Sequence, residues 1–360
     1  MISITAILKE ETTMSEAVKE IPVSAGRKFS GLWQRFAAGR KEEKPASPFR
    51  VIVEKEISDH VTSWRFIILV FIIALTTLGS LYTALDNIRE AIKPDDPTAS
   101  FLFLKLFTLS DGTLPSFIVF VSFLGPLLGI GLGFDAVNSE QNGGTLSRLL
   151  AQPIHRDYII NAKFLAALIV IGVMFFSLGF LVMGIGIIAT GIPPTPEEFV
   201  RIVLFILLTV VYVAFWLNMS IWFSVKFRQP ATAALTAISV WIFFTVFYPL
   251  IVNLIVKGVS NPAWLANPAY QIFLQKLKLG LMRIAPNVLF SEATSTLLMP
   301  SVRSLGPLSL EQLSGAIPGP LPLGQSILLV WPHVTALIAA TVLCFVLAYV
   351  PFMRREIRAR

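Results

Sequence analysis

FDAVNSEQNGGTLSRLLAQPIHRDYIINAK, residues 134–163, is a polar island between two long apolar runs. It opens with Asp135, Asn138 and Glu140 and breaks at Gly143 and Gly144. Leu146, Leu149 and Leu150 follow, three and four residues apart, which places them on one side of a short helical turn. Pro153 stops that turn, because proline lacks the donor N–H and restricts the residue before it. Arg156 and Lys163 lead into the next apolar run. A plain connector between two membrane spans would also be polar and rich in turn residues.

The runs on either side decide the class. The chain of 360 residues is 55% hydrophobic and only 14% charged, where soluble domains carry about 25% charge. Mean hydropathy is +0.73. A spanning helix needs about 20 mostly apolar residues, and six runs qualify: 66–85, 114–134, 164–190, 202–225, 231–256 and 327–353. The fourth and fifth are separated only by Lys226 to Pro230, a tight helical hairpin. The single cysteine, Cys344, excludes an intrachain disulfide.

Lysine and arginine set the orientation. With the N-terminus inside, segments 1–65, 135–163, 226–230 and 354–360 hold 20 of the 29 basic residues. Arg354, Arg355, Arg358 and Arg360 close the chain, and Lys226 and Arg228 flank the tight turn, so both short segments agree. Both termini and the 134–163 stretch are predicted to be cytoplasmic.

Residues 1–47 are polar and lack an apolar period long enough for a core. Phe29, Leu32, Trp33 and Phe36, with Arg27, Lys28, Arg35 and Arg40, form either a basic amphipathic patch for lipid phosphates or part of a disordered tail. In 48–65, Val53, Ile57, Val61 and Trp64 recur at spacings of four, four and three, with Glu54, Lys55 and Asp59 elsewhere. That pattern predicts an interfacial amphipathic helix before the first span. The first apolar run starts too late for a cleavable signal peptide and reads as an uncleaved anchor. Two outer segments exceed simple connectors. Residues 86–113 contain Asp95, Asp96, Pro97 and then FLFLKLF. Residues 257–326 show helical spacing at Ile272, Phe273, Leu277, Leu281 and Ile284, then a Gly/Pro-rich GAIPGPLPLG. The second segment is too apolar to stay solvated, which predicts a small cap of helices on the outer interface.

No G-x-x-x-x-G-K-[ST] and no G-x-G-x-x-G after a strand occurs, so the chain does not cradle nucleotide phosphates by those routes. His60 and His155 lie at the inner edge and His333 near the outer end of the last run, so they do not share a metal. The six apolar runs contain no Asp, Glu, Lys or Arg, whereas ion-coupled carriers bury such residues for a relay. The driving energy is therefore expected to enter at a cytoplasmic contact, for which 134–163 is the natural place. Gly125, Gly129 and Gly133 recur every four residues in the second run, the spacing of close helix packing. That packing lies beside a transport path or dimer seam, or else within one subunit. Pro126, Pro249 and Pro332 are candidate kinks.

The order Asp135, Glu140, Gly144–Thr145, Leu149–Leu150, Pro153, Arg156, Lys163 resembles the signature loop of type-2 ABC exporter permeases. It looks most like the branch related to the permease of nitrous-oxide reductase maturation. Weaker likeness lies in 53–66, 286–300 and the RREIR end, and the family's usual basic residue after the Glu is Gln141 here. The resemblance implies an all-α membrane protein of six transmembrane helices. An N-terminal interfacial elbow helix (48–65), a cytoplasmic coupling helix between spans two and three, and a helical extracytoplasmic insertion (257–326) complete it, within a permease domain of 66–353. It implies an ATP-driven exporter subunit in the cytoplasmic membrane with no active site or nucleotide site of its own. ATP and Mg are bound by separate ABC ATPase subunits, and a second permease copy or a homologue completes the path. The expected partners include membrane lipids and exclude nucleic acid. Glu140, Gly144, Thr145, Leu146, Leu149, Leu150, Pro153 and Arg156 are the expected ATPase-coupling contacts. The Leu146–Leu150 turn would dock in the ATPase, and Glu140 and Arg156 would pair with its surface or tether the loop to the elbow helix. The rival classes are a membrane-embedded enzyme or accessory factor and a gradient-driven carrier. For the enzyme, the candidate polar groups Asn218, Ser220, His333 and Thr335 are too scattered.

Overall fold

The structure is a computed structural model that describes residues 47–91, 101–110, 112, 114–264, 266–302 and 320–354. Residues 1–47 form a separate unit from residues 48–360. The aromatic patch of the tail, Asp95–Pro97, part of the Gly/Pro-rich stretch and Arg355, Arg358 and Arg360 lie outside the described residues.

The order of elements is α1 (Pro48–Val61), α2 (Trp64–Ala91), α3 (Leu102–Thr108), α4 (Phe117–Gly133), α5 (Asn138–Asn142), α6 (Thr145–Leu150), α7 (Arg156–Thr190) and α8 (Pro196–Lys226). Then come α9 (Pro230–Ile242), a π-helical turn (Phe243–Phe247), α10 (Tyr248–Val259), α11 (Pro268–Met282), α12 (Pro286–Leu298) and α13 (Leu323–Arg354). No strand occurs among the described residues. Six helical stretches are long and apolar enough to cross a membrane: Trp64–Asp86, Phe117–Asn142, Arg156–Thr190, Pro196–Lys226, Pro230–Val259 and Leu323–Arg354. Each overlaps one of the six apolar runs, and most extend past it at a polar end. Proline at the first turn starts α8, α9, α11 and α12, where its missing N–H costs nothing. At α8 a capping box adds to this. Glu198 N donates to Thr195 Oγ1 (3.3 Å) and Thr195 N donates to Glu198 Oε2 (2.8 Å).

Helix α8 is the axis of the bundle, with 67% of its span buried against 17% for the α9–α10 span. It meets α4 backbone to backbone. A Cβ on Gly129 would lie 2.6 Å from the Val213 carbonyl oxygen, and one on Gly133 would lie 2.8 Å from that of Leu217. Gly125 faces the Val213 side chain in the same way. Tyr212 OH donates to Ser122 O (3.1 Å) and Ser220 Oγ to Ile130 O (3.1 Å), clamping the same seam. The three glycines therefore face α8 of their own chain. Pro126 and Pro332 sit inside unbroken helices. The fifth span instead widens to the π-helical turn just before Pro249, whose missing N–H leaves the carbonyl four residues back without its usual donor.

The segment between spans five and six is helical but does not lie flat across the bundle. Tyr270 OH meets Val259 O (3.1 Å) while Tyr248 OH meets Leu281 O (2.6 Å), so α11 runs antiparallel alongside α10. Helix α12 then returns beside α8. Phe290 stacks on Tyr212 at 4.3 Å, and Leu297 O accepts from Arg201 Nη1 (2.9 Å). Leu289, Phe290, Ala293 and Leu297 are buried, and α12 packs against both α8 and α13. The apolar face of α12 is satisfied by the bundle interior, whereas α11 buries only Leu274 and leaves Phe273 exposed. FLFLKLF is likewise buried: α3 sinks Phe103, Leu104, Leu106 and Phe107, and Phe103 N donates to Glu198 Oε1 (2.9 Å).

Charged groups are also drawn into the bundle, one of them just outside an apolar run and others beside the sixth span. Arg201, fully buried, is held by Glu197, Ser326 Oγ and the carbonyls of Leu297 and Leu321. His333 Nε2 lies 2.7 Å from Glu292 Oε2, which also accepts from Arg283 Nε (2.8 Å).

Gly129→Val forces side-chain atoms into the α8 backbone, so it is expected to destabilise the protein by at least about 1–3 kcal/mol. Gly172→Val, at a position with nothing within 4 Å of the added Cβ, is expected to change little. Thermal unfolding of the two purified variants checks this, and equal Tm values would contradict the seam.

Candidate functional site

At the end of the bundle that holds α5 and α6, the chain leaves α4 through Phe134–Val137 and returns through residues 151–155 to α7. Gly144 takes φ +68°, the left-handed region that glycine enters without steric cost. That reversal lets α6 begin at once. Thr145 Oγ1 then donates to Glu140 O (3.2 Å) and Ser147 Oγ to Gly144 O (2.8 Å).

The loop is fastened to five other parts of the chain. Val137 N and Asn138 N donate to Ser224 Oγ on α8 (3.0 and 3.2 Å). Asn142 Nδ2 donates to Arg228 O in the α8–α9 turn (2.8 Å). Asp135 pairs with Arg65 on α2 (2.7 Å), whose guanidinium also lies over the Phe134 ring. Arg156 Nη2 donates to Phe352 O on α13 (2.6 Å) and lies over that ring.

The fifth tie is to α1. Lys163 Nζ lies 3.0 Å from both Glu56 oxygens and 2.8 Å from Glu140 Oε1. Lys55 lies 3.1 Å from Glu56, 3.1 Å from Asp59 and 3.6 Å from Glu140. Apolar contact reinforces the tie, since Ile52 and Val53 pack on Ala162 and Ala166, and Phe49 meets Tyr158 edge-on. Lys163 is only 4% exposed and Glu56 8%, so removing either partner would strand a buried charge, at a cost of about 3–5 kcal/mol.

A cavity of about 440 Å³ opens between α1 and the loop, lined among others by Lys55, Glu56, His60, Arg65, Arg148 and Lys163. Burial would raise the Glu56 carboxyl, but Lys163 and Lys55 outweigh it and hold it below the usual range. Burial would lower Lys55, yet Glu56, Asp59 and Glu140 together leave it raised. Burial dominates at His60 and pushes it down, with Lys163 and Arg65 acting in the same sense against Glu56 and Asp135.

The expected contact residues separate into two sets. Gly144, Thr145 and Pro153 are exposed. Leu146 is 2% exposed, and Leu149 and Leu150 are half-buried against the core, so the leucine face points into the bundle. Glu140 is spent on Lys163 and Lys55, and Arg156 reaches α13. Sequence reasoning missed Glu56, Lys55, Arg65, Asn142 and Ser224 as members of the site. Lys163 was visible as the end of the loop, but nothing in its local spacing points to a carboxylate 107 residues away. Among the described residues no group of three His, Cys, Asp or Glu side chains is placed to hold a metal.

The family model described as "ABC-2 family transporter protein" matches residues 50–357. The chain is also similar to the "Probable ABC transporter permease protein NosY" of Stutzerimonas stutzeri, with 27% identity over 160 residues. That match covers 43% of this chain and 58% of the relative. Six apolar helices, a braced loop between the second and third, and a family match over most of the length agree: the chain belongs to the ABC-2 family of ABC transporter permeases.

Proposed function

We propose that this protein is the membrane-spanning half of an ATP-driven exporter in the cytoplasmic membrane. Its termini and the α5–α6 loop face the cytoplasm, and a separate ABC ATPase docks on that loop. In this reading α1 is the elbow helix, α6 the coupling helix and α11–α12 the outer insertion. Residues 1–47 and 354–360 are its cytoplasmic ends. A second permease copy or a homologue completes the path.

The observation that carries the reading is the five-fold bracing of a loop whose rim is exposed. A connector needs only to reverse the chain. This one is tied to α1, α2, α8, the α8–α9 turn and α13, so a force on its rim is delivered to most of the bundle. The docking rim is Gly143–Thr145, Arg148 and Ala151–Pro153, all exposed. Leu146 and Glu140 serve as the anchors behind it. ATP and Mg belong to the partner, whose closure supplies the displacement.

The family match favours this reading over a gradient-driven carrier. The buried charges are spread along the bundle: along α8, Arg201 and the Ser224 that holds the loop are about 34 Å apart at helical rise, and Arg283, Glu292 and His333 form a further cluster between them.

Thr145→Trp adds bulk at the rim and gives up the Thr145 bond to the Glu140 carbonyl, but leaves the carboxylates of the clasp on Lys163. It is expected to leave the permease folded and to cut ATPase co-purification and permease-stimulated ATP hydrolysis at least about tenfold. Wild-type values for both would contradict docking here.

Lys163→Met leaves Glu56 and Glu140 buried without their cation and is expected to cost about 3–5 kcal/mol, part of it regained in Lys163→Met/Glu56→Gln. Thermal unfolding across pH gives the second signature. His60 has a depressed folded pKa, so the unfolded chain takes up its proton first. Its contribution is complete above about pH 6.5 and falls as pH drops toward the folded value. Glu56, also depressed, contributes fully above about pH 4.3 and loses that contribution below it. His60→Gln is expected to flatten the upper window and Glu56→Gln the lower. Unchanged profiles in both variants would contradict the clasp.

A further inference from the structure

We infer that the surface docking on this end of the permease is acidic and that one of its carboxylates seats against Arg148. The inference rests on the docking reading above and adds the chemistry of the partner. The exposed rim is built from Asn142–His155 and the neighbouring turn Lys226–Gln229, joined by the bond from Asn142 Nδ2 to Arg228 O. These two segments contain Arg148, Lys226 and Arg228, all exposed, and no Asp or Glu.

Four adjoining carboxylates do not offset this charge, because each is engaged; a fifth, Asp157, sits half-buried in the first turn of α7. Glu56 and Glu140 hold Lys163 and Lys55, Asp59 holds Lys55, and Asp135 holds Arg65. Among the described residues, the other lysines and arginines that line the cavity have carboxylate partners within 4 Å, and Arg148 has none. A guanidinium in this position is suited to bidentate pairing with a carboxylate.

Anionic lipid headgroups would also meet a cationic rim. The side chains around Arg148 favour a protein. No large hydrophobic residue from Asn142 to His155 is exposed, whereas Val61, Trp64, Ile67, Ile68 and Phe71 are exposed on α1 and α2. A surface that enters a bilayer carries such residues. The Arg148 surface instead presents Gly143, Gly144, Thr145, Ala151 and Gln152, small or polar groups that let another backbone approach.

The test uses the full-length permease in lipid nanodiscs with its own ATPase, measuring Kd at low and moderate salt. Arg148→Glu is expected to weaken binding roughly tenfold and to flatten the salt dependence. Charge reversal of the facing carboxylate on the ATPase is expected to restore binding. Wild-type affinity and salt response in Arg148→Glu overturn the inference. If Thr145→Trp still abolishes binding, the docking reading stands and only the acidic partner surface is lost; if neither variant weakens binding, both fall. An Arg148→Glu effect seen with anionic lipids but absent in zwitterionic nanodiscs assigns the contact to headgroups and also overturns the inference.

Discussion

The Lys163 ammonium lies 3.0 Å from both oxygens of Glu56 and 2.8 Å from Glu140, and is almost wholly removed from water. Desolvating such a group is costly unless its partners are fixed in place. The three residues come from three places: α1, α5 and the first turns of α7. Their agreement therefore locks the amphipathic helix, the loop and the third span into one geometry. The remaining ties, at Ser224, Arg228, Arg65 and Phe352, extend that body across the end of the bundle. A loop held in this way acts as part of the helices and not as a tether between them.

The opposite end is held by different means. Arg201 gathers Glu197, Ser326 and two backbone carbonyls, and Glu198 caps both its own helix and α3. Helix α12 packs into the space between α8 and α13, while α11 before it buries only Leu274. Between the two ends, α4 and α8 touch backbone to backbone along the glycine seam. The outer flank is different in kind. The α9–α10 span keeps Val246, Phe247, Leu250, Ile251 and Leu254 exposed and carries a π-helical turn. Stiffness is thus concentrated around α8, and it falls off toward the fifth span.

The spans were legible because 20 apolar residues in a row have few other outcomes, and the polar loop stood out by contrast with them. The breaks at Gly144 and Pro153 were legible because backbone chemistry forces them. The direction of the leucine face was not. Three leucines on one side of a turn read equally well as a docking ridge or as an anchor, and Leu146 at 2% exposure is an anchor. Buried charge was also hidden. Arg201 falls one residue outside an apolar run, and Glu56 sits among exposed charged neighbours on α1, so neither looks buried from its local context. Pairing across more than 90 residues, as between Lys163 and Glu56, leaves no local period to read. The hairpin of α11 and α12 was recognisable as helical, but its descent along α10 and return beside α8 depend on tyrosine contacts that no spacing reveals.

The central claim is that the loop and α1 move as one body when a docked ATPase closes. Pulsed electron-spin distance measurement tests it directly. Spin labels at Ser58 on α1 and Gln152 on the rim, both exposed, are placed in one permease copy of the ATPase complex, with Cys344 replaced. The account predicts an unchanged distance distribution between these labels with and without ATP, while a third label on the ATPase shifts relative to both. A loop that moves several ångströms against α1 on ATP binding would contradict it.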